Sequence, residues 1–202
     1  MEATSPFFNP YDPILKTEAN LPHWDQGVRY YFATFRLADS LPVAFVHEWM
    51  RERDGWQKRH PPPWDEETER EYWERFDGRI QAKLDQGMGA CLLGKRENAS
   101  IVHDVLRQEE GRLYDLEAWA IMPNHVHVLF HLREGSLSGL LQQWKGVSAH
   151  RINQAEGRRG TLWQKESWDR IVRSPAHLIR VRRYVLGNPG AAGGHGIAWG
   201  KE

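Results

Sequence analysis

Cysteine is almost missing from this chain of 202 residues, since Cys91 is the only one, and the formal net charge is zero. A single cysteine excludes an internal disulfide and a cysteine-based zinc or iron–sulfur site. A net charge of zero provides no overall field for nucleic acid, so such binding would require a local basic patch. No apolar run approaches the length of a membrane-spanning helix, and residues 1–6 lack a signal-peptide pattern. We therefore expect a cytoplasmic protein without membrane contact.

The length is that of one domain with room for an elaborated insertion. Residues 1–27 are rich in Pro, Asn and Asp, which indicates an irregular leader, and residues 190–202 are rich in Gly and Ala, which indicates a flexible tail. The domain proper would span residues 28–189. Within it, residues 51–86 form a highly charged, tryptophan-rich stretch whose aromatic residues recur at helical spacing, so a helical insertion is predicted there.

Three β-rich segments predict the sheet. Residues 28–37 are aromatic and β-branched, and residues 113–122 lead through a tight Pro-Asn turn into residues 125–130. The last two segments should form an antiparallel hairpin, with the first strand pairing nearby. Helices are expected between and after the strands, including a basic one over 175–186 that stops at Gly187-Asn188-Pro189. The predicted fold class is α+β, a mostly antiparallel sheet covered by helices.

Two histidines stand one residue apart in the sequence MPNHVHVLF, at His125 and His127. Side chains alternate along a strand, so both imidazoles project from one face, while Val126 and Val128 supply the other. Two imidazoles placed this way can bind one metal ion. The alternative is a pair of polar residues on a solvated strand face, and the spacing alone leaves both open.

Positive charge is concentrated between Trp144 and Arg183, a segment that contains ten Lys or Arg residues and only three acidic residues. This segment also contains Trp163 and Trp168, and basic residues interleaved with aromatic ones suit a phosphate backbone with unstacked bases. A solvated basic helix is the alternative. We predict DNA contacts from eight of its residues: Lys145, Arg158, Arg159, Trp163, Arg170, Arg173, Arg180 and Arg183.

Tyr184 and Asn188 are four residues apart and would share one face of a continuous helix. The simplest interpretation is a half-buried aromatic and a helix-terminating Asn. A phenol can, however, attack a phosphodiester when a metal ion withdraws charge from the phosphate. An amide oxygen beside it would be a hard neutral ligand suited to Mg²⁺ or Mn²⁺.

Together, the motifs MPNHVHVLF, LWQKESWDRIVR and RYVLGNP resemble the HUH single-tyrosine transposases, in particular those associated with repetitive extragenic palindromes (REP). The opening YYFATFRLADSLP is similar to the first strand of that family, so the resemblance runs over about residues 28–192. It implies a ferredoxin-like or RRM-like sheet, the HUH endonuclease domain. It also implies Mg²⁺ or Mn²⁺ held by His125, His127 and Asn188. Tyr184 would be the nucleophile, while Asp169 and Arg170 match a DR pair of structural or DNA-positioning role.

The function implied by this resemblance is cleavage and rejoining of single-stranded DNA beside a hairpin, through a covalent 5′-phosphotyrosine. The partner would be hairpin DNA, such as REP-like palindromes, in the bacterial cytoplasm at the nucleoid, with the protein acting as a monomer or homodimer. The insertion over 51–86 and the weakly basic tail depart from the family pattern. Two alternatives stay open: a non-cleaving module that binds hairpin DNA or RNA, and a metal-dependent hydrolase that uses water as nucleophile.

Overall fold

An antiparallel sheet of five strands forms the centre of the protein. The computed structural model describes residues 5–17, 23–61, 64–191 and 196–200. The strands of this sheet are β3 Tyr30–Arg36, β4 Tyr114–Ile121, β5 His125–Leu132, β6 Trp168–Ile171 and β7 Ile197–Gly200. They lie across the sheet in the order β6-β3-β5-β4-β7. None of the described helices is long and apolar enough to cross a membrane.

Strands β3 to β6 have the ferredoxin-like arrangement, because the fourth of them lies beside the first, then the third, then the second. Helix α4 (Arg96–Arg107) precedes the β4–β5 hairpin and helix α5 (Leu137–Ala155) follows it. Both helices pack on the same apolar face of the sheet. The predicted α+β fold and its antiparallel hairpin are therefore confirmed, and the first strand, expected to pair nearby, pairs with the histidine strand.

Alternation along the strands divides the sheet into two faces. On β5, Val126, Val128 and Phe130 join the core under α4 and α5, while the two histidines and Leu129 point to the opposite face. Helix α6 (Pro175–Ala191) covers this second face, with Val181 and Val185 buried against it.

A helical segment between β3 and α4, where the sequence predicts an insertion over residues 51–86, has an apolar core of its own. It consists of α1 (Val43–Arg59), α2 (Glu66–Tyr72), a π-helical turn (Trp73–Asp77) and α3 (Gly78–Leu84). We call residues 43–85, which also include the C-cap residue of α3, the helical insertion. Its buried side chains meet the sheet where the Trp49 ring lies edge-on to Trp168, 6.1 Å between centroids. Pro62 and Pro63, inside this segment, lie outside the described residues.

Three expectations about the chain ends need correction. The leader contains a short antiparallel hairpin, β1 (Leu15–Thr17) with β2 (His23–Asp25), and it lies along the body. Helix α6 continues past Asn188 to Ala191 with Pro189 inside it, because packing against the sheet outweighs the backbone bond that proline removes. The tail was expected to be flexible, but β7 pairs with β4 along four residues, since an edge strand offers unpaired backbone groups to any extended segment.

Candidate metal and nucleophile site

His125 and His127 lie side by side at the start of β5, on the face covered by α6 and the helical insertion. Both are fully buried, and their Nε2 atoms are 3.0 Å apart. Burial lowers the pKa of His125 to about 3 and holds that of His127 well below its ordinary value. Both imidazoles are therefore neutral at physiological pH, as a metal ligand must be.

Asn124, in the turn between β4 and β5, fixes the orientation of the first imidazole. Its Nδ2 donates to the carbonyl oxygens of Leu84 and Met88, at 3.2 and 3.0 Å, so its Oδ1 must face His125. That oxygen lies 2.7 Å from His125 Nδ1 and can only accept a hydrogen bond. The proton of His125 is therefore on Nδ1, and Nε2 presents a bare lone pair toward His127.

Thr34 plays the corresponding part for the second imidazole. It is paired with His127 in the β3–β5 register, and its Oγ1 lies 2.8 Å from His127 Nδ1. Each histidine thus has its outer nitrogen engaged by a buried polar neighbour while its Nε2 faces the other. This is the arrangement that orients imidazoles toward a shared ion, so the donor set fits a divalent metal.

Tyr184 brings a phenol to the same point from α6. Its Oη lies 3.4 Å from His127 Nε2, and its ring contacts Trp73 of the helical insertion edge-on at 5.9 Å between centroids. Burial raises the pKa of the Tyr184 hydroxyl above its ordinary value, with the Asp85 carboxylate adding to the effect. The phenol is therefore protonated at neutral pH unless positive charge is brought near it.

Two further oxygen donors lie nearby. Asn188, one turn after Tyr184, is 2% exposed, and its Oδ1 is buried with no hydrogen-bond partner among the described residues. Asp85, just after α3, places Oδ1 3.9 Å from His125 Nε2, and burial raises the pKa of this carboxyl to about 6. In the described ranges no three His, Cys, Asp or Glu side chains already surround one point as in a formed metal site.

The structure thus brings together the four site residues that the sequence singled out. Asn124, Thr34 and Asp85 were missed. The Pro-Asn turn was recognised only as a turn, although an Asn next to the histidine pair is itself a signal of an orienting amide. Asp85 was one acid among many in the helical insertion, and nothing local distinguishes it.

The predicted DNA-binding residues separate into distinct groups. Arg159, Arg180 and Arg183 are exposed, and the last two lie on α6 beside Tyr184. Three others are partly buried: Arg158; Arg173, which lies over the Phe8 ring at 4.7 Å; and Lys145, whose Nζ donates to Lys165 O at 2.6 Å.

Two members of the predicted DNA-binding set are engaged inside the protein. Trp163 is 4% exposed and packs on Phe35, with its Nε1–H donating to Ser148 Oγ at 3.0 Å. Since both faces of the ring lie in the core, the expectation that a base stacks on it is wrong. Arg170 forms an ion pair with Asp77 and lies 4.1 Å from the Trp73 ring centroid, which favours the structural role over a DNA contact.

Comparison with known proteins finds a family and a curated relative that match part of the chain. Residues 95–186 match the family described as "Transposase IS200 like", a region that includes both histidines and Tyr184. A REP-associated tyrosine transposase of Escherichia coli (strain K12) is 23% identical over 87 residues, 43% of this chain and 51% of that protein. The match thus spans about half the length of the curated relative.

Two solved structures are similar at low identity. One, described as a REP-associated tyrosine transposase bound to a REP hairpin, aligns at a TM-score of 0.47 and 14% identity over 88% of this chain and 76% of its own. A putative transposase from Deinococcus radiodurans R1 aligns at a TM-score of 0.34 and 16% identity, over 86% and 98%. Residues 95–186, which carry the histidine pair and the tyrosine, are thus similar to the family of IS200-like transposases.

Proposed function

We propose that the protein cleaves and rejoins single-stranded DNA through a covalent link between Tyr184 and a 5′-phosphate. The observation that carries the proposal is the position of the Tyr184 hydroxyl, 3.4 Å from Nε2 of His127, one of the two neutral, oriented imidazoles. A nucleophile beside the residues that would hold an ion can attack a phosphate bound to that ion without further rearrangement.

His125 and His127 would hold a Mg²⁺ or Mn²⁺ ion, with the buried Asn188 Oδ1 as a further oxygen ligand. When bound, the ion would act as a Lewis acid on the scissile phosphate. Tyr184 Oη attacks phosphorus, so that an Oη–P bond forms and the bond from phosphorus to the 3′-oxygen breaks. The phenol proton is lost and the 3′-oxygen gains one, leaving a free 3′-hydroxyl. The reverse attack by a 3′-hydroxyl restores the phosphodiester without an external energy source.

Hairpin DNA is the proposed substrate, because both the E. coli relative and one aligned structure are described as REP-associated and the latter holds a REP hairpin. The cleaved step must be unpaired, since Tyr184 needs an in-line approach to the phosphate. Arg180 and Arg183 are exposed on the helix that carries the tyrosine and are suited to contact the flanking backbone. A monomer or a homodimer is compatible with this proposal.

The test is a covalent-adduct assay with the full chain, labelled hairpin DNA with single-stranded flanks, and Mg²⁺ or Mn²⁺. We expect a protein–DNA adduct that survives denaturation, is abolished by EDTA and is absent in Tyr184→Phe. Tyr11→Phe is the matched control, because Tyr11 is 93% exposed and remote in sequence from the site. It should form adduct at the wild-type rate.

Each alternative outcome has its own signature. An adduct that persists in Tyr184→Phe would exclude this residue as nucleophile. Cleavage without an adduct would indicate a hydrolase that uses water. Binding of the hairpin without cleavage, under conditions where the site is loaded with Mn²⁺, would indicate the non-cleaving binding module.

A further inference from the structure

Asp85 is held beside the histidine pair by the turn that orients His125. Its backbone N–H continues the end of α3 by donating to Gln81 O at 2.9 Å. The amide of Asn124 binds the carbonyls of Leu84 and Met88, the residues on either side of this point in the chain. One asparagine therefore joins the end of the helical insertion to the start of the histidine strand.

The Asp85 carboxylate lies beside His125 with one buried oxygen that accepts no hydrogen bond from the described residues. This oxygen, Oδ1, lies 3.9 Å from His125 Nε2. A buried carboxylate oxygen without a partner is costly. Neutral His125 cannot supply a donor, because its proton is held on Nδ1 by Asn124 Oδ1.

A cation would satisfy both groups, since one offers an anionic oxygen and the other a nitrogen lone pair. An octahedral ion with bonds of about 2.1 Å places neighbouring ligands about 3.0 Å apart and opposite ligands about 4.2 Å apart. The two Nε2 atoms, 3.0 Å apart, match neighbouring positions. The 3.9 Å from Asp85 Oδ1 to His125 Nε2 falls between the two values, so a shift of the carboxylate by about 1 Å suffices for either.

We propose that Asp85 is a ligand of the divalent ion held by His125 and His127, so that the helical insertion supplies the anionic oxygen of the site. This inference rests on the metal-dependent function proposed above. The ligand set would then be two imidazoles, the Asp85 carboxylate and the Asn188 amide. A carboxylate favours hard ions such as Mn²⁺ and Mg²⁺ and adds the only formal negative charge among these ligands.

The experiment measures Mn²⁺ binding to the full chain without DNA, by calorimetry and by the loss of the free-ion signal in electron paramagnetic resonance. Asp85→Asn keeps the size of the side chain and removes its charge, and should weaken Mn²⁺ binding at least tenfold. Asp85→Glu keeps the carboxylate and should bind within about threefold of wild type. Glu67→Gln removes one exposed acid from α2 of the same insertion and should leave the affinity unchanged.

The outcomes separate the two proposals. If wild type and Asp85→Asn bind Mn²⁺ equally while His125→Ala and His127→Ala do not bind, the Asp85 assignment is overturned and the proposed function stands. If wild type binds no Mn²⁺, the assignment is overturned as well, and the adduct assay alone then decides the proposed function. Thermal unfolding of each variant shows whether a loss of binding reflects loss of the fold, and a weakened but fully folded Asp85→Asn supports the assignment.

Discussion

Replacing Arg170 with methionine should loosen the contact between the sheet and the helical insertion. The Arg170 guanidinium pairs with Asp77 and stacks on Trp73, and the two charged side chains are 27% and 15% exposed. Breaking a buried pair by removing one partner costs about 3–5 kcal/mol. Since Arg170 is about a quarter exposed, we expect about 2–4 kcal/mol for this pair. In a domain of this size that corresponds to a decrease in Tm of roughly 5–15 °C.

Replacing Asp77, the other member of this ion pair, should reduce the free energy of unfolding by less. Asp77→Asn retains an acceptor oxygen and leaves a guanidinium that reaches water, so about 1–2 kcal/mol is expected. Burial raises the pKa of Asp77 and Arg170 lowers it, so without Arg170 the pKa rises further. A carboxyl whose pKa is raised by folding contributes stability below its unfolded pKa and loses it as pH rises through the folded pKa. The loss of stability caused by Arg170→Met should therefore be smaller at pH 5 than at pH 7.

Urea unfolding at both pH values measures these differences, and a hairpin-binding assay on the same proteins provides the decisive comparison. Arg183→Met, on the exposed face of α6, is the matched control for the unfolding measurement alone, because Arg183 is proposed to contact DNA, and it should change stability by less than about 0.5 kcal/mol. If Arg170→Met unfolds like wild type but binds hairpin DNA weakly, Arg170 contacts DNA and the reasoning above is refuted.

Three further predictions concern stability. Trp56→Ala removes a ring that is 1% exposed and packs on Phe76, and should cost about 3–5 kcal/mol by urea unfolding; a cost under about 1 kcal/mol would contradict its place in the insertion core. Burial and nearby arginines lower the pKa of His177 to about 4, so wild type should lose stability as pH falls from about 6.5 toward 4. His177→Gln should remove about 2 kcal/mol of that loss, measured by urea unfolding at pH 7 and 4.5, and an unchanged pH dependence would exclude this cause. Ser136→Ala removes the cap of α5 that accepts from Gly139 N and should cost about 1 kcal/mol of stability, measured as a decrease in Tm of about 2–4 °C, whereas Ser136→Asp should keep the wild-type Tm.

The sheet and the histidine pair could be predicted from sequence because their signals are local. Alternation alone places His125 and His127 on one face, and the Pro-Asn turn between two β-rich runs specifies the hairpin. The helical spacing of Tyr184 and Asn188 is equally local, and α6 keeps it. When residues recur every two positions in a strand or every four in a helix, the spacing alone places their side chains on one face.

The features that were missed depend on contacts distant in sequence. Asp85 reaches the site because the chain returns from the helical insertion, 40 residues before His125, and no pattern around it marks that return. Trp163 was assigned to DNA because it lies among basic residues, but its isolated bridge beside β3 buries it under α5. Strand β7 comes from a Gly-rich segment with weak strand propensity, so its pairing is decided by the open edge of β4 rather than by its own sequence.

The π-helical turn in the helical insertion has a consequence for how the chain length can vary among related proteins. The Gly78 N–H bonds to Trp73 O, five residues back instead of four, so this turn holds one residue more than an α-helix would. Deleting a residue there would rotate all that follows relative to α2 by about 100°. The contact of Trp73 with Tyr184 and the ion pair of Asp77 with Arg170 could then no longer form at the same time. We expect relatives that keep this site to vary in length before α2, and to conserve the residue count between Trp73 and Gly78.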